Sequence, residues 1–397
     1  MTEGSPRDGT HTRRTPLGGM RVLDLCRLLP GDFATWVLAD LGAEVIKVED
    51  TSGGDYMRWT PPMAGHSSAM FWAINRGKRC IKLDLKQDAG KEVLLRLVDT
   101  ADALLEGFRP GVMDRLGLGY DTLSKRNPSL VYAAITGYGQ DGPLAQRAGH
   151  DLLYNSLAGL QGITGTPDAL TVPGFQIADM AGGGLGGALS VVSALLMRER
   201  DPQRQGSFLD VSMFDGVSAI VSPHIANALA GGDAAEPGRM ALNGGYACYR
   251  TYRAADGRWM ALAALEPKFW RAFCELVDRP DLIDRGLESG EDVYAEVGAV
   301  IASRTRAEWE ALLKDHDVML EPVNTLAEAV EDPQAKARGL WLDVGGDVPQ
   351  PAPVVRLPGG FHADPRVAEQ GADTGAVLAE LGYSEREIED LRSEGII

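Results

Sequence analysis

The first half of the chain alternates short apolar runs with stretches of helical period. Residues 20–25, 44–49, 130–135 and 208–213 carry strand-like runs, and 103–105 reads as extended. A strand at 80–85 follows a basic loop. A Pro30-Gly31 turn leads into a helical 33–41, and 91–98 and 183–198 also have helical period. This βαβ rhythm predicts a mostly parallel sheet covered on both faces by helices: an α/β, Rossmann-like large domain. Near residue 230 the pattern changes. Residues 231–245 are rich in glycine and small polar residues, as in a linker. Residues 248–252 and 259–265, joined by Ala255-Asp256-Gly257, predict an antiparallel hairpin, and helices follow to about 331. Ser384-Glu385-Arg386-Glu387 is a capping box that opens a last helix. The division expected is a disordered leader over 1–16, a large domain over 17–230, a linker and small α+β domain over 231–335, and a segment over 336–397 that returns to the large domain.

Composition narrows the partners. A net charge of -17 argues against nucleic acid, whose binding rests on basic patches, but leaves room for a small anionic ligand held by local cations. No run of eighteen apolar residues suggests a membrane span, and residues 1–16 lack a signal peptide's apolar core. The four cysteines are scattered with no CxxC pair, which predicts free thiols in a reducing cytoplasm rather than a metal site or disulfides.

Three short segments carry residues able to move a proton: Gly149-His150-Asp151, Ala178-Asp179 before a glycine run, and Leu265-Glu266-Pro267. Each has an ordinary explanation. Asp179 reads as a helix cap, Glu266 as a helix-start residue, and His150 as a polar residue at the start of a helix over 151–160. Gly182, Gly184 and Gly187 fit G-x-G-x-x-G but do not lie at the first βα turn, so close helix packing explains them better than a dinucleotide. Cations gather in Asn75-Arg76-Gly77-Lys78-Arg79 and in Gly107-Phe108-Arg109, with Arg115 beyond. Placed past strand ends, they point to a phosphate-bearing ligand, against the alternative of solvated surface charge.

Taken together, these segments resemble the class III CoA-transferase (CaiB/BaiF) superfamily, and within it the α-methylacyl-CoA racemases. The resemblance rests on ATWVLADLGAEVIKV at 34–48, NRGKRCIKLDLK at 75–86, LEGFRPGVMDRLGLG at 105–119 and TGYGQDGP at 136–143, with 210–213 and 378–397 in support. It implies an acyl-CoA substrate, with coenzyme A entering as part of that substrate and no separate cofactor or metal. It also implies an interlocked homodimer, in which Glu266 approaches His150 from the partner chain. The residue aligned with Asp179 is the nucleophile in the transferases and a proton carrier in the racemases, so His150 with Glu266 decides between them. On the racemase reading, His150 and Asp179 serve opposite faces of C2, and the Asp151 amide holds the enolate oxygen. Arg76, Lys78, Arg79, Gly107, Phe108, Arg109 and Arg115 hold the CoA, while Tyr154 lines the channel. One departure stands out: family members carry an adenine-stacking arginine near the position of Asp50, which Arg58 or the 76–79 loop would have to replace. A CoA-transferase is the main alternative; a non-catalytic acyl-CoA binder and a nicotinamide oxidoreductase follow.

Overall fold

The computed structural model describes residues 15–232, 235–346, 348–357 and 364–397. Most of the expected leader therefore lies outside the described residues. The chain divides into two compact units. The first comprises the chain up to Tyr154, Ile177–Gly216 and Gly339–Ile397; the second comprises Asn155–Gln176 and Val217–Arg338. The second unit thus takes residues 155–176 and 217–230, which the sequence pattern assigns to the large domain.

The first unit is built on six parallel strands: β1 (Arg21–Leu25), β2 (Glu44–Glu49), β3 (Lys78–Lys82), β4 (Ala103–Glu106), β5 (Val131–Thr136) and β6 (Ser207–Ser212). Their order is β6-β5-β4-β1-β2-β3. Order reverses between β1 and β4, so a crevice opens beyond the carboxyl ends of those two strands, the usual ligand position in such sheets. The helices that bear on the site, in chain order, are α1 (Leu28–Asp40), α2 (Asp88–Val98), α3 (Val112–Leu116), α4 (Asp151–Leu157), α5 (Ala178–Arg200) and α6 (Met213–Leu229), with α4 and α6 running on into the second unit. Alternation along the strands feeds two cores. Val22, Val45 and Ala133 face Trp36 and Leu38 of α1 and Val191 of α5. Leu23, Ile46 and Ala134 face Val93 and Leu97 of α2 on the other side.

Several element boundaries differ from the pattern. Helix α1 begins at Leu28, so Pro30 and Gly31 lie in its first turn, where a missing N–H costs nothing. Strand β3 begins at Lys78 rather than Cys80, because Lys78 points inward despite its charge. Helix α6 is not announced by the pattern, and Pro223 sits inside it. Helix α5 is the one helix among the described residues long and apolar enough to cross a membrane by length and composition, at 23 residues with mean hydropathy 1.6. Its inner face packs on the sheet through small residues; a Cβ on Gly183 would lie 2.8 Å from the Met213 side chain. The packing explanation for the glycine run therefore holds.

In the second unit, β7 (Tyr249–Arg253) and β8 (Trp259–Ala263) form the expected hairpin, and β9 (Leu320–Pro322) joins as a third antiparallel strand. Helices α7 (Pro267–Leu276), α8 (Glu291–Ile301) and α9 (Arg306–Leu313) bury Phe273, Val297 and Trp309 with Met260 and Leu262 of the hairpin. The chain then closes with α10 (Thr374–Glu380) and α11 (Glu385–Ser393) in the first unit, and the Ser384 capping box is formed. Strand β3 is a sheet edge, and this last segment covers it. The Asp373 carboxylate accepts the Cys80 N–H at 2.8 Å, and Thr374 Oγ1 accepts the Lys82 N–H at 3.1 Å.

Candidate active site

The glycine of Gly149-His150-Asp151 has a steric origin. The Tyr154 ring, one turn into α4, presses against Gly149, where a Cβ would lie 2.6 Å from the ring. Tyr154 is buried and meets Tyr138 edge-on at 5.0 Å. It is thus a wedge beneath this turn rather than an open channel wall. His150 follows the glycine and is exposed, with its carbonyl accepting the Leu153 N–H. Asp151 is buried, and its carboxylate accepts the Asp179 backbone N–H at 3.0 Å.

That bond corrects the cap reading of Asp179. The N-cap of α5 is Ile177, and Asp151 satisfies an unpaired N–H of its first turn. The Asp179 side chain is left to other work. It lies in a π turn spanning Ala178–Leu185, a local widening that recurs at functional sites. Burial, with the Asp151 charge adding to it, pushes its carboxyl up to about 7. Burial also raises the Tyr154 hydroxyl, with Asp179, Tyr138 and Asp151 adding to the effect and Arg109 opposing it. Asp179, Asp151, Tyr154 and Arg109 therefore share one electrostatic neighbourhood. Glu266, in the second unit, is the N-cap residue of α7; it is exposed and its side chain caps nothing.

The basic loop at 76–79 is not a free phosphate site. Arg76 is fully buried, pairs with Asp40 at 2.6 Å and lies over the Trp36 ring. The Lys78 ammonium is buried on Asp24 at 3.2 Å, Thr35 at 2.7 Å and Asn75 at 2.8 Å. Lys47 beside it meets Asp32 and, at 3.1 Å, Asp55. Burial opposes the Lys47 charge, but Asp32, Asp24 and Asp55 outweigh it and hold the ammonium protonated. Arg79 bridges Glu44 and Glu380. Arg58 is buried on Glu49 at 2.6 Å and stacks on Phe71, so it does not replace an arginine at Asp50. Sequence reads these residues as cations but does not tell which way they point.

The loop after β4 keeps the position expected of it. Gly107 and Arg109 are exposed, Phe108 is half-buried, and the buried Glu106 carboxylate fixes the turn by accepting the Phe108 N–H at 2.6 Å. Arg115 of α3 is exposed as well, and neither Arg109 nor Arg115 has an ion-pair partner among the described residues. The sequence reading missed Arg27, just past β1. Its guanidinium reaches Asp50 at 2.5 Å and lies 5.9 Å from the Phe108 ring centre.

The first unit thus has a parallel sheet with this strand order, exposed cations beyond its carboxyl edge and a buried carboxyl at about 7. Comparison with known proteins gives the family. The family described as CoA-transferase family III matches residues 17–374, and the chain belongs to it. It is 35% identical over 396 residues to a mouse protein named alpha-methylacyl-CoA racemase, covering 96% of this chain and 97% of that one. It is 34% identical over 391 residues to an Acetobacter aceti acetyl-CoA:oxalate CoA-transferase, covering 94% and 97%. Among solved structures, a CaiB/BaiF family protein from Brucella suis matches with TM-score 0.82 and 33% identity, over 92% of this chain and 99% of that one. The chain is thus an enzyme of the family III CoA-transferase/racemase superfamily.

Proposed function

We propose that this enzyme interconverts the 2R and 2S epimers of a 2-methylacyl-CoA thioester by 1,1-proton transfer. The observation that carries the reading is the exposed His150, which the chain sets directly before Asp151, whose carboxylate holds the Asp179 N–H at 3.0 Å, so that a second proton-carrying group accompanies the Asp179 carboxyl at about 7. A carboxyl poised near neutrality gives and takes a proton with similar ease, which two-way exchange at one carbon requires. The same carboxyl is still about half ionised at neutral pH, so its poise alone does not separate a proton carrier from a nucleophile.

The thioester carbonyl acidifies the hydrogen on C2. One base removes that proton to leave an enolate, and the acid on the opposite face returns one. His150, oriented by Glu266, serves one face and Asp179 the other. Each positioned group contributes about 10²–10⁴ in rate. The Asp151 amide holds the enolate oxygen, and Gly107, Phe108, Arg109 and Arg115 hold the CoA. The chemistry needs no metal or redox cofactor.

The working form is a homodimer in which Glu266 of one chain meets His150 of the other. An exposed apolar stripe on α5 supports it: Leu185, Leu189, Leu196 and Met197 are 41%, 69%, 50% and 58% exposed. Sedimentation equilibrium should give twice the 42.5 kDa chain mass, and a monomer at micromolar concentration would refute the dimer.

A CoA-transferase reading is favoured by relatives of that name at similar identity, with Asp179 as nucleophile. Exchange in D₂O separates the two. A single 2-methylacyl-CoA epimer incubated without added acid should scramble at C2 with deuterium incorporation. CoA transfer to an added carboxylic acid, with no exchange, would establish the transferase instead.

A further inference from the structure

We propose that Arg27 is a phosphate-binding residue for the nucleotide half of CoA, steadied by Asp50 at the mouth of the sheet. The assignment rests on the acyl-CoA reading above and adds a residue that the reading lacks.

Position comes first. Arg27 lies two residues beyond the end of β1, and Phe108 two residues beyond β4. These are the strands that flank the reversal of strand order, so the 5.9 Å approach of guanidinium to ring spans the crevice where ligands of such sheets sit. The direction of the side chain is set from below. Leu28 takes a left-handed φ of 63°, and its N–H is held by the Asp55 carboxylate at 3.2 and 3.3 Å. Arg27 serves as N-cap residue of α1 without using its side chain there.

Availability comes second. One guanidinium nitrogen bonds Asp50 at 2.5 Å, the others have no protein partner among the described residues, and the side chain is 40% exposed. Asp50 is a firm anchor because it also accepts Ser52 N–H, Ser52 O–H and Gly53 N–H, at 2.9, 2.6 and 2.9 Å. Despite partial burial, those bonds and Arg27 hold its carboxyl near 2, so the tether persists across the physiological range. A guanidinium has two hydrogen-bonding edges, and with one on a carboxylate the other fits a phosphate.

Elimination comes third. Lys47, Arg58, Arg76 and Lys78, other basic residues near this edge, are buried on internal partners. Arg27 joins Arg109, Arg115 and, in the loop after β5, Arg147 among the exposed cations near this edge that can meet a CoA phosphate.

The test is calorimetric titration of full-length wild type, Arg27→Gln and Arg27→Lys with CoA and with 3′-dephospho-CoA. Arg27→Gln should weaken CoA binding by roughly 10- to 100-fold, the loss of one charge-assisted pair. Arg27→Lys should recover only part of it, since an ammonium lacks the planar fork. Melting temperatures should stay within about 2 °C, because the ion pair is exposed. Equal loss for both ligands assigns Arg27 to the pyrophosphate, and loss for CoA alone assigns it to the 3′-phosphate; either supports the proposal. Wild-type binding with Arg27→Gln affinity unchanged within about twofold overturns the Arg27 assignment alone. A wild type that binds neither ligand overturns the acyl-CoA reading together with it.

Discussion

Asp179 becomes ionised against the preference of its surroundings, and that has a measurable sign. Its carboxyl titrates near 7 in the folded chain, against about 4 in an unfolded one. The folded state therefore holds this proton more tightly. The stability that follows is fully present below about pH 4 and is lost as pH rises through about 7. Asp179→Asn should then be more stable than wild type at pH 8, by roughly 1–3 kcal/mol and with a higher melting temperature, and about equally stable at pH 4. Activity should fall by about 10²–10⁴. Equal melting differences at both pH values would show that burial does not set this proton's affinity. At this scale the sequence was partly legible. Asp179 stands out because its neighbours Ala178 and Met180 are apolar, and Gly149 before His150 marks the approach of Tyr154. Arg76 and Lys78 misled because charge says nothing about direction. Each is buried on a carboxylate distant in sequence, at |i−j| of 36 for Arg76–Asp40 and 54 for Lys78–Asp24. Arg27 was missed for the converse reason: its partners Asp50 and Phe108 lie in other loops, and only strand order brings them together.

Among the elements, strands were legible because burial on both faces makes them nearly all apolar, as in β4 and β5. Helix starts were less so. The Pro30-Gly31 pair reads as a turn, yet the chain tucks it into the first turn of α1, where Gly31 passes the Cys26 side chain too closely for a Cβ. Edge protection was not legible, because Asp373 and Thr374 lie some 290 residues from the strand they cover, at |i−j| of 293 and 292. Asp373→Ala should leave the Cys80 N–H without its acceptor and also lose the Arg366 pairing. We expect a loss of about 1–3 kcal/mol and faster hydrogen exchange at Cys80 and Lys82 than at the central strand β1. Unchanged exchange at those two amides would mean that the edge is sealed by other contacts.

For the whole molecule, the rhythm of the first half identified the parallel sheet, but the Gly-rich stretch near 231, read as the start of a second domain, lies inside the second unit. The boundary between units was not legible there, because the chain crosses between units at Tyr154, Gln176, Gly216 and Arg338, inside or beside helices rather than in linkers. One consequence concerns the order in which the protein is made. Strand β3 appears early on the ribosome, but the groups that satisfy its outer amides lie at 373 and 374, and the backbone next to it closes through a bond from Asp84 N–H to the Ile396 carbonyl. Until residues 366–396 emerge, this flank lacks the partners that answer it in the folded chain. The nascent chain must therefore carry an open, template-ready edge through most of its synthesis. Residues 373–396 complete a seam begun at β3, so this edge stays exposed in any nascent or truncated chain that lacks them.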